Sequence, residues 1–165
     1  MYITLRLFAT SILPCVFAAT SVAQVTSPAT ELAPYTNDSL GFSIDLPCSP
    51  RWETPTIRGS KPVLICDTTD PIVVISSERK NLPTDAELEA YMKKQVQTGD
   101  IPYEMTREEV DGHRAVKVRL LASAQELEMW VVVAGDEQLL LFSFVSRTGK
   151  TAANTPAMVA SIKIK

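Results

Sequence analysis

Histidine is nearly absent from this 165-residue sequence, in which His113 is the single imidazole. One histidine cannot build a metal centre with several histidine ligands, and a nucleophilic mechanism would depend on this one residue beside a turn. We interpret it as an exposed residue at a strand end. The six glycines are scattered and form no phosphate-binding loop. We therefore predict no catalytic, cofactor-binding or metal-binding residues and no enzymatic activity.

Positive charge is also scarce, since 16 Lys and Arg face 19 Asp and Glu for a net charge of −3. Nucleic acids and anionic membranes are polyanions, so this balance argues against both as partners. Asp67 and Asp70 lack the alternating ligand series and the downstream glutamate of a calcium loop. We interpret the segment Asp-Thr-Thr-Asp-Pro that contains them as a turn.

An uncharged apolar run covers residues 7–19, directly after Arg6. The run is too short for a permanent membrane span, and Ser21 and Ala23 are the small residues that signal peptidase requires. Cys15 follows a proline inside this run, which is not the context of a lipoprotein cysteine. We predict a signal peptide over 1–23, cleaved after Ala23, and a periplasmic or secreted protein without an integral membrane span.

Only Cys48 and Cys66 remain after this cleavage. An even cysteine count in an exported chain indicates a disulfide, because the compartment is oxidising. A redox-active pair is the alternative, but the close Cys-x-x-Cys spacing of such pairs is absent. We favour a structural bridge, which would stabilise the fold by about 3 kcal/mol in the chain-entropy model.

The mature chain has the length of one domain. Residues 24–38 are rich in Pro, Ala, Thr and Ser and lack apolar periodicity, so we predict a flexible linker there and a domain over 39–165. Alternation at Phe42, Ile44 and Leu46 predicts a first strand. Short apolar runs at 63–66 and 72–76 predict the second and third, so the disulfide would join the first strand to the second.

The segment Thr84-Asp85-Ala86-Glu87 has the form of a helix-capping box. An apolar stripe at helical spacing follows, which we interpret as core: Leu88, Tyr91, Met92 and Val96. Gly99 would end this helix. Glu89 and Lys93 are four residues apart and are expected to form a surface ion pair.

Four longer strands are predicted beyond the helix, at 103–110, 113–121, 126–134 and 138–146, with turns at Asp111-Gly112 and Gly135-Asp136. Apolar residues on both faces of 139–144 indicate a central strand. A turn near residues 123–124 would place Arg119 opposite Glu128 as a cross-strand ion pair. A second helix is expected near 152–160, and a short last strand at 161–165.

Three short motifs resemble those of PsbP-like and DcrB-like domains, a family related to the Mog type. They are the strand Ser39-Leu40-Gly41-Phe42-Ser43-Ile44-Asp45-Leu46-Pro47 with Trp52 after it, the hairpin Val110-Asp111-Gly112-His113-Arg114-Ala115, and the ending Ala160-Ser161-Ile162. The resemblance implies a single α+β domain, in which a mainly antiparallel sheet is flanked by helices as an α/β/α sandwich. It also implies a mostly non-enzymatic family whose members bind other proteins.

We therefore expect an exported protein-binding, accessory or chaperone-like factor of the cell envelope. Its partner is another protein of unknown identity, and its oligomeric state is unknown. Small-ligand or lipid binding between sheet and helix, and inhibition of a toxin as an immunity-type protein, are the alternatives. The possible ligand or partner surface contains four residues: Tyr91, Met92, Trp130 and Phe142. Neither a cofactor nor a metal is expected.

Overall fold

The structure, a computed structural model, describes residues 31–54, 61–67, 70–96, 101–121, 126–147 and 154–165. The predicted signal peptide over 1–23, Cys15 within it and the predicted helix end at Gly99 lie outside these residues. Ten strands and two helices make up the described part of the chain. The chain folds as a mainly antiparallel α+β domain, as predicted.

The strands form a three-stranded sheet in the order β1-β2-β10 and a seven-stranded sheet in the order β3-β4-β5-β9-β8-β7-β6. The strands of the small sheet are β1 (Ala33–Asn37), β2 (Phe42–Leu46) and β10 (Lys163–Ile164). Those of the large sheet are β3 (Arg51–Glu53), β4 (Val63–Cys66), β5 (Ile72–Arg79), β6 (Tyr103–Val110), β7 (His113–Leu121), β8 (Glu126–Gly135) and β9 (Gln138–Ser146). All pairings are antiparallel, and β9 is central, as its apolar composition predicts.

The two helices are α1 (Asp85–Val96) and α2 (Thr155–Ala160). The small sheet and α2 cover one face of the large sheet, to which Leu140, Phe142 and Phe144 of β9 contribute. We call it the small-sheet face. On the other face, the helix face, α1 packs on Leu139 and Leu141 of the same strand. The predicted sandwich is therefore confirmed on the α1 side, whereas a small sheet shares the opposite layer with α2.

The core of the small-sheet face forms because β2 buries every second side chain, at Phe42, Ile44 and Leu46. Phe42 packs edge-on against Phe142 of β9, with ring centroids 5.4 Å apart. Such T-shaped contacts contribute beyond the apolar area that they bury. Met158 of α2 is fully buried in the same cluster.

The disulfide connects the two sheets. Cys48 follows β2 of the small sheet and Cys66 ends β4 of the large one, with Cα atoms 5.8 Å apart. The predicted pairing is confirmed, and the two strands that it joins lie in different sheets. The bridge therefore fixes the small sheet against the face that it covers.

The start of α1 has the predicted capping box. The Glu87 backbone N–H donates to Thr84 Oγ1 over 3.3 Å, and the Thr84 N–H donates to Glu87 Oε2 over 3.0 Å. The predicted stripe is buried on the helix face. The predicted surface pair is wrong in its partner, because Glu89 forms its ion pair with Arg107 of β6 instead of Lys93. The sheet supplies a cation nearer to Glu89 than its own helix does.

The β6–β7 turn anchors the C-terminal strand. Asp111 and Gly112 both have positive φ, at 52° and 79°, as the two-residue hairpin requires. The Asp111 carboxylate accepts hydrogen bonds from Lys163 Nζ and from the Ile164 N–H, each over 2.9 Å. These bonds, the lysine bond first, hold the pKa of Asp111 below its usual range.

Two strands differ from the sequence prediction. Strand β1 pairs with β2 from Ala33 to Asn37, inside the segment predicted as a flexible linker over 24–38. Backbone pairing with β2 thus orders part of a segment that has no apolar periodicity of its own. Strand β3 is too short and too exposed to produce a periodic signal.

Candidate protein-binding surface

The large sheet separates the four residues predicted as a ligand or partner surface. Tyr91 and Met92 pack under α1 on the helix face, whereas Trp130 and Phe142 are directly paired neighbours on the small-sheet face. All four are buried, and Trp130 is the most exposed of them at 8%. The structure does not bring the four together, and their role in binding stays a prediction.

Tyr91 is a buried polar contact rather than an open site. Its hydroxyl donates to Glu78 Oε2 of β5 over 2.6 Å, and Lys80 Nζ lies 4.4 Å from its ring centroid. Burial and the Glu78 carboxylate raise the pKa of Tyr91. The contact fixes α1 on the sheet and keeps the phenol protonated.

A group of charged residues on β7 and β8 occupies the small-sheet face. Glu126 and Glu128 are buried, at 6% and 7% exposure. Lys117 Nζ lies 3.5 Å from Glu128 and 5.3 Å from the Trp130 ring centroid, and the Trp130 indole N–H donates to Glu128 over 2.7 Å. Glu126 forms an ion pair with Arg119 and raises the pKa of the Arg119 guanidinium. Each buried carboxylate thus has a cation.

The register places Arg119 directly opposite Glu128, as predicted. The predicted ion pair between them is wrong, because Arg119 pairs diagonally with Glu126 and leaves Glu128 to Lys117. Diagonal neighbours across an antiparallel pair remain within reach of long side chains. This arrangement gives each of the two buried carboxylates a cation.

Strand β6 is an edge of the large sheet. Among the described residues, no backbone hydrogen bond outside the helices and sheets involves it. Its side chains are exposed except at Met105 and Val110. Glu104 and Glu108 project on the small-sheet face beside Arg119 and Lys117, to whose strand β6 is paired. An edge strand presents free amide and carbonyl groups, so β6 is a template for another strand.

Apolar side chains continue across the helix face at the end of the sheet furthest from the β6–β7 turn. The registers align Tyr103, Leu120, Leu127, Val145 and Ile72 across five neighbouring strands. We call these five residues the distal row. Tyr103 is 40% exposed and the strand residues Leu120, Leu127, Val145 and Ile72 are half-buried. Of the five residues in the distal row, Leu120 alone packs against one of the two buried clusters of the described residues.

A cleft of about 740 Å³ lies at the opposite end of the sheet, among the β5–α1 connection and the turns after β6 and β8. His113 lines it half-buried, and its Nδ1 is 3.1 Å from the Val133 carbonyl oxygen. Arg114 also lines it, with its guanidinium bonded to Asp85 and to the Leu82 carbonyl. Both side chains hold the β6–β7 turn to its neighbours. His113 was predicted as an exposed residue at a strand end, and the structure places it half-buried with a backbone partner.

The part of the chain that the structure describes contains neither a metal-ligand cluster nor a helix that could span a membrane. No group of three or more potential ligands among His, Cys, Asp and Glu is placed to hold a metal ion. None of the helices there combines the length and apolar character needed to cross a bilayer. Asp67 contributes to an ion pair with Arg51 over 2.7 Å, and that pair holds its pKa below its usual range.

Strand β6 was predicted as a strand but not as a functional element. The signal is in its composition. Tyr-Glu-Met-Thr-Arg-Glu-Glu-Val lacks the alternation of apolar residues of the neighbouring strands and carries four charges in eight residues. Such a strand buries few of its side chains and belongs at an edge. The distal row has no comparable signal, because it depends on the register of five strands.

No family model and no curated protein sequence matches this chain. Among solved structures, it is similar to the solution structure of cyanobacterial PsbP (CyanoP) from Synechocystis sp. PCC 6803. The TM-score is 0.56 and the identity 13%, with 87% of this chain and 98% of that chain covered. A crystal structure from Bacteroides thetaiotaomicron VPI-5482 is similar at a TM-score of 0.51 and 12% identity, with 80% of this chain and 48% of that chain covered. The fold is therefore PsbP-like, as the resemblance of the short motifs predicts.

Proposed function

We propose that this PsbP-like chain is an exported, non-catalytic protein-binding factor of the accessory or chaperone type, acting in the cell envelope. One observation carries the proposal: the distal row leaves apolar side chains of five strands partly exposed on the helix face. Contiguous exposed apolar surface of this kind is typical of protein-interaction sites. A partner would bury what α1 leaves uncovered.

Export is supported by two features. The first 23 residues have the composition of a cleavable signal peptide, and Cys48 and Cys66 form a disulfide, which persists in oxidising compartments. The PsbP-like fold supports an accessory role, since the family that the motifs resemble consists mostly of non-enzymatic binding proteins.

The proposal can be tested with the mature chain, residues 24–165, immobilised and incubated with the envelope fraction of its own cells. We expect one protein to bind in near-equimolar amount. The variants Leu127→Asp and Tyr103→Asp place a charge in the distal row and should reduce its recovery at least tenfold. Ala86→Asp adds the same charge at an exposed position on the first turn of α1 and should leave recovery unchanged.

Thermal unfolding of each variant should precede the binding measurement, so that loss of folding is not scored as loss of binding. An empty eluate would contradict the proposal. So would a partner that Leu127→Asp and Tyr103→Asp retain as well as Ala86→Asp does. In either case the row would be surface without a binding role.

A further inference from the structure

We infer that the partner docks as an extended basic segment that adds an eighth strand to the large sheet at β6. This inference rests on the proposed function and names the chemistry of the partner. The distal row ends at Tyr103, which belongs to β6, so the apolar surface and the open edge are continuous. An added strand would lengthen the ladder and the row together.

The charges on β6 determine which segment fits. Alternation places Glu104, Thr106 and Glu108 on the small-sheet face, and Tyr103 and Met105 on the helix face. Within the described residues no ion pair involves Glu104 or Glu108. Glu104 lies opposite Arg119 and contributes to its raised pKa, but the ion pairs of Arg119 and Lys117 are with the buried glutamates of β8. The edge therefore presents carboxylates outside any described ion pair on one face. On the other face the apolar Tyr103 and Met105 are followed by the charged Arg107 and Glu109.

A strand that pairs with β6 places its side chains about 5 Å from those directly opposite. Lysine or arginine at every second position would lie opposite Glu104 and Glu108. The intervening positions would lie opposite Tyr103 and Met105, where apolar side chains extend the distal row. The matching segment thus alternates basic and apolar residues opposite 103–106, and its later positions on the helix face lie opposite the charged Arg107 and Glu109.

A second copy of this chain fits the edge poorly. Antiparallel pairing of two β6 strands centred on Thr106 places Glu104 of each copy opposite Glu108 of the other. Two like-charged contacts in direct opposition destabilise such a pair. The same carboxylates attract a basic strand, so the charge pattern selects a different chain over self-association.

The probe is an acetylated and amidated octapeptide of alternating lysine and valine, labelled for fluorescence anisotropy and added to the mature chain. Its control alternates lysine with proline. That peptide has the same charge and length, but proline cannot donate to a β-ladder. We expect binding of the first peptide, weakening with salt, and no binding of the second. In amide hydrogen exchange, protection should increase at β6 and stay unchanged at β3.

The variant pair is Glu104→Gln with Glu108→Gln, compared with Asp136→Asn with Glu137→Gln. Both doubles remove two exposed carboxylates, and the second does so in the β8–β9 turn. The first double variant removes two cross-strand ion pairs with the lysine–valine peptide, so its affinity for this peptide should fall by about two- to thirty-fold. The second should change affinity less than twofold.

Three outcomes would overturn the inference: no binding of the lysine–valine peptide, equal binding of the lysine–proline peptide, or equal effects of the two double variants. The carboxylates would then serve only to keep other strands off the edge. Failure of this inference differs from failure of the proposed function. Suppose that Leu127→Asp abolishes capture of the partner, whereas neither Glu104→Gln with Glu108→Gln nor the added peptide changes it. The proposed function would then stand, and binding by strand addition at β6 would be excluded.

Discussion

The two faces of the large sheet are covered to different extents. On the small-sheet face, a second sheet and α2 bury Phe142 and Phe144 completely, and a disulfide ties that layer down. On the helix face, the 12 residues of α1 span about 18 Å, which is shorter than the strands beneath it. The uncovered remainder is the distal row. Both faces therefore contain a buried cluster, but only the helix face leaves apolar strand residues partly exposed, and it is there that we propose the binding surface.

The largest expected difference in the free energy of unfolding is between two variants of β9 whose side chains point to opposite faces of the large sheet. Phe142→Ala removes a fully buried ring from the small-sheet face and should lower the free energy of unfolding by about 3–5 kcal/mol. Val145→Ala in the half-buried distal row should cost no more than about 1 kcal/mol. Urea denaturation of both variants measures the difference. Similar losses would show that the distal row is core rather than open surface.

The disulfide should have the next largest effect. Replacement of Cys48 and Cys66 by alanine removes a cross-link between residues 18 positions apart. The chain-entropy model gives a loss of about 3 kcal/mol. Denaturation of the double variant, with Phe142→Ala as reference, measures it. Amide exchange should increase first in β1 and β2, and an increase confined to α1 would contradict the asymmetry between the faces.

The smallest effect should come from the cap of α1. Thr84→Ala removes the hydroxyl that accepts from the Glu87 N–H and should cost about 1 kcal/mol. Denaturation and exchange of the α1 amides measure it, and Thr84→Ser is the control that keeps the hydroxyl. Because α1 and Leu82 before it cover the buried cluster of this face, we expect amide exchange to become faster in α1 and to stay unchanged in the small sheet. Equal protection in both variants would show that packing alone holds the helix start.

Local patterns predicted most elements to within a few residues. Period-two apolar residues located β2, and the strong Asp-Gly turn located the start of β7 at His113. The box at Thr84 located the start of α1. In contrast, β1 was predicted as linker, because its order comes from hydrogen bonds to β2 rather than from its own side chains.

The site was less accessible to this reasoning. The four predicted residues are large and apolar, and a large apolar residue in a strand or helix stripe is buried wherever a layer covers it. Which layer covers which end of a face depends on the length and placement of α1. The charged composition of β6 indicates an edge strand, but only by comparison with the neighbouring strands, which are more apolar.

Short-range chemistry in the sequence determined most of the strands, the capped helix, the tight turns and the cysteine pair, because each depends on residues that are neighbours in the chain or on a simple count. Tertiary structure alone decided three things: that Cys48 and Cys66 join two sheets, that Arg119 pairs with Glu126 instead of Glu128, and that the distal row is aligned. These depend on strand order and register across segments far apart in the chain. Register is a property of the assembled sheet, in which many weak pairings are satisfied together.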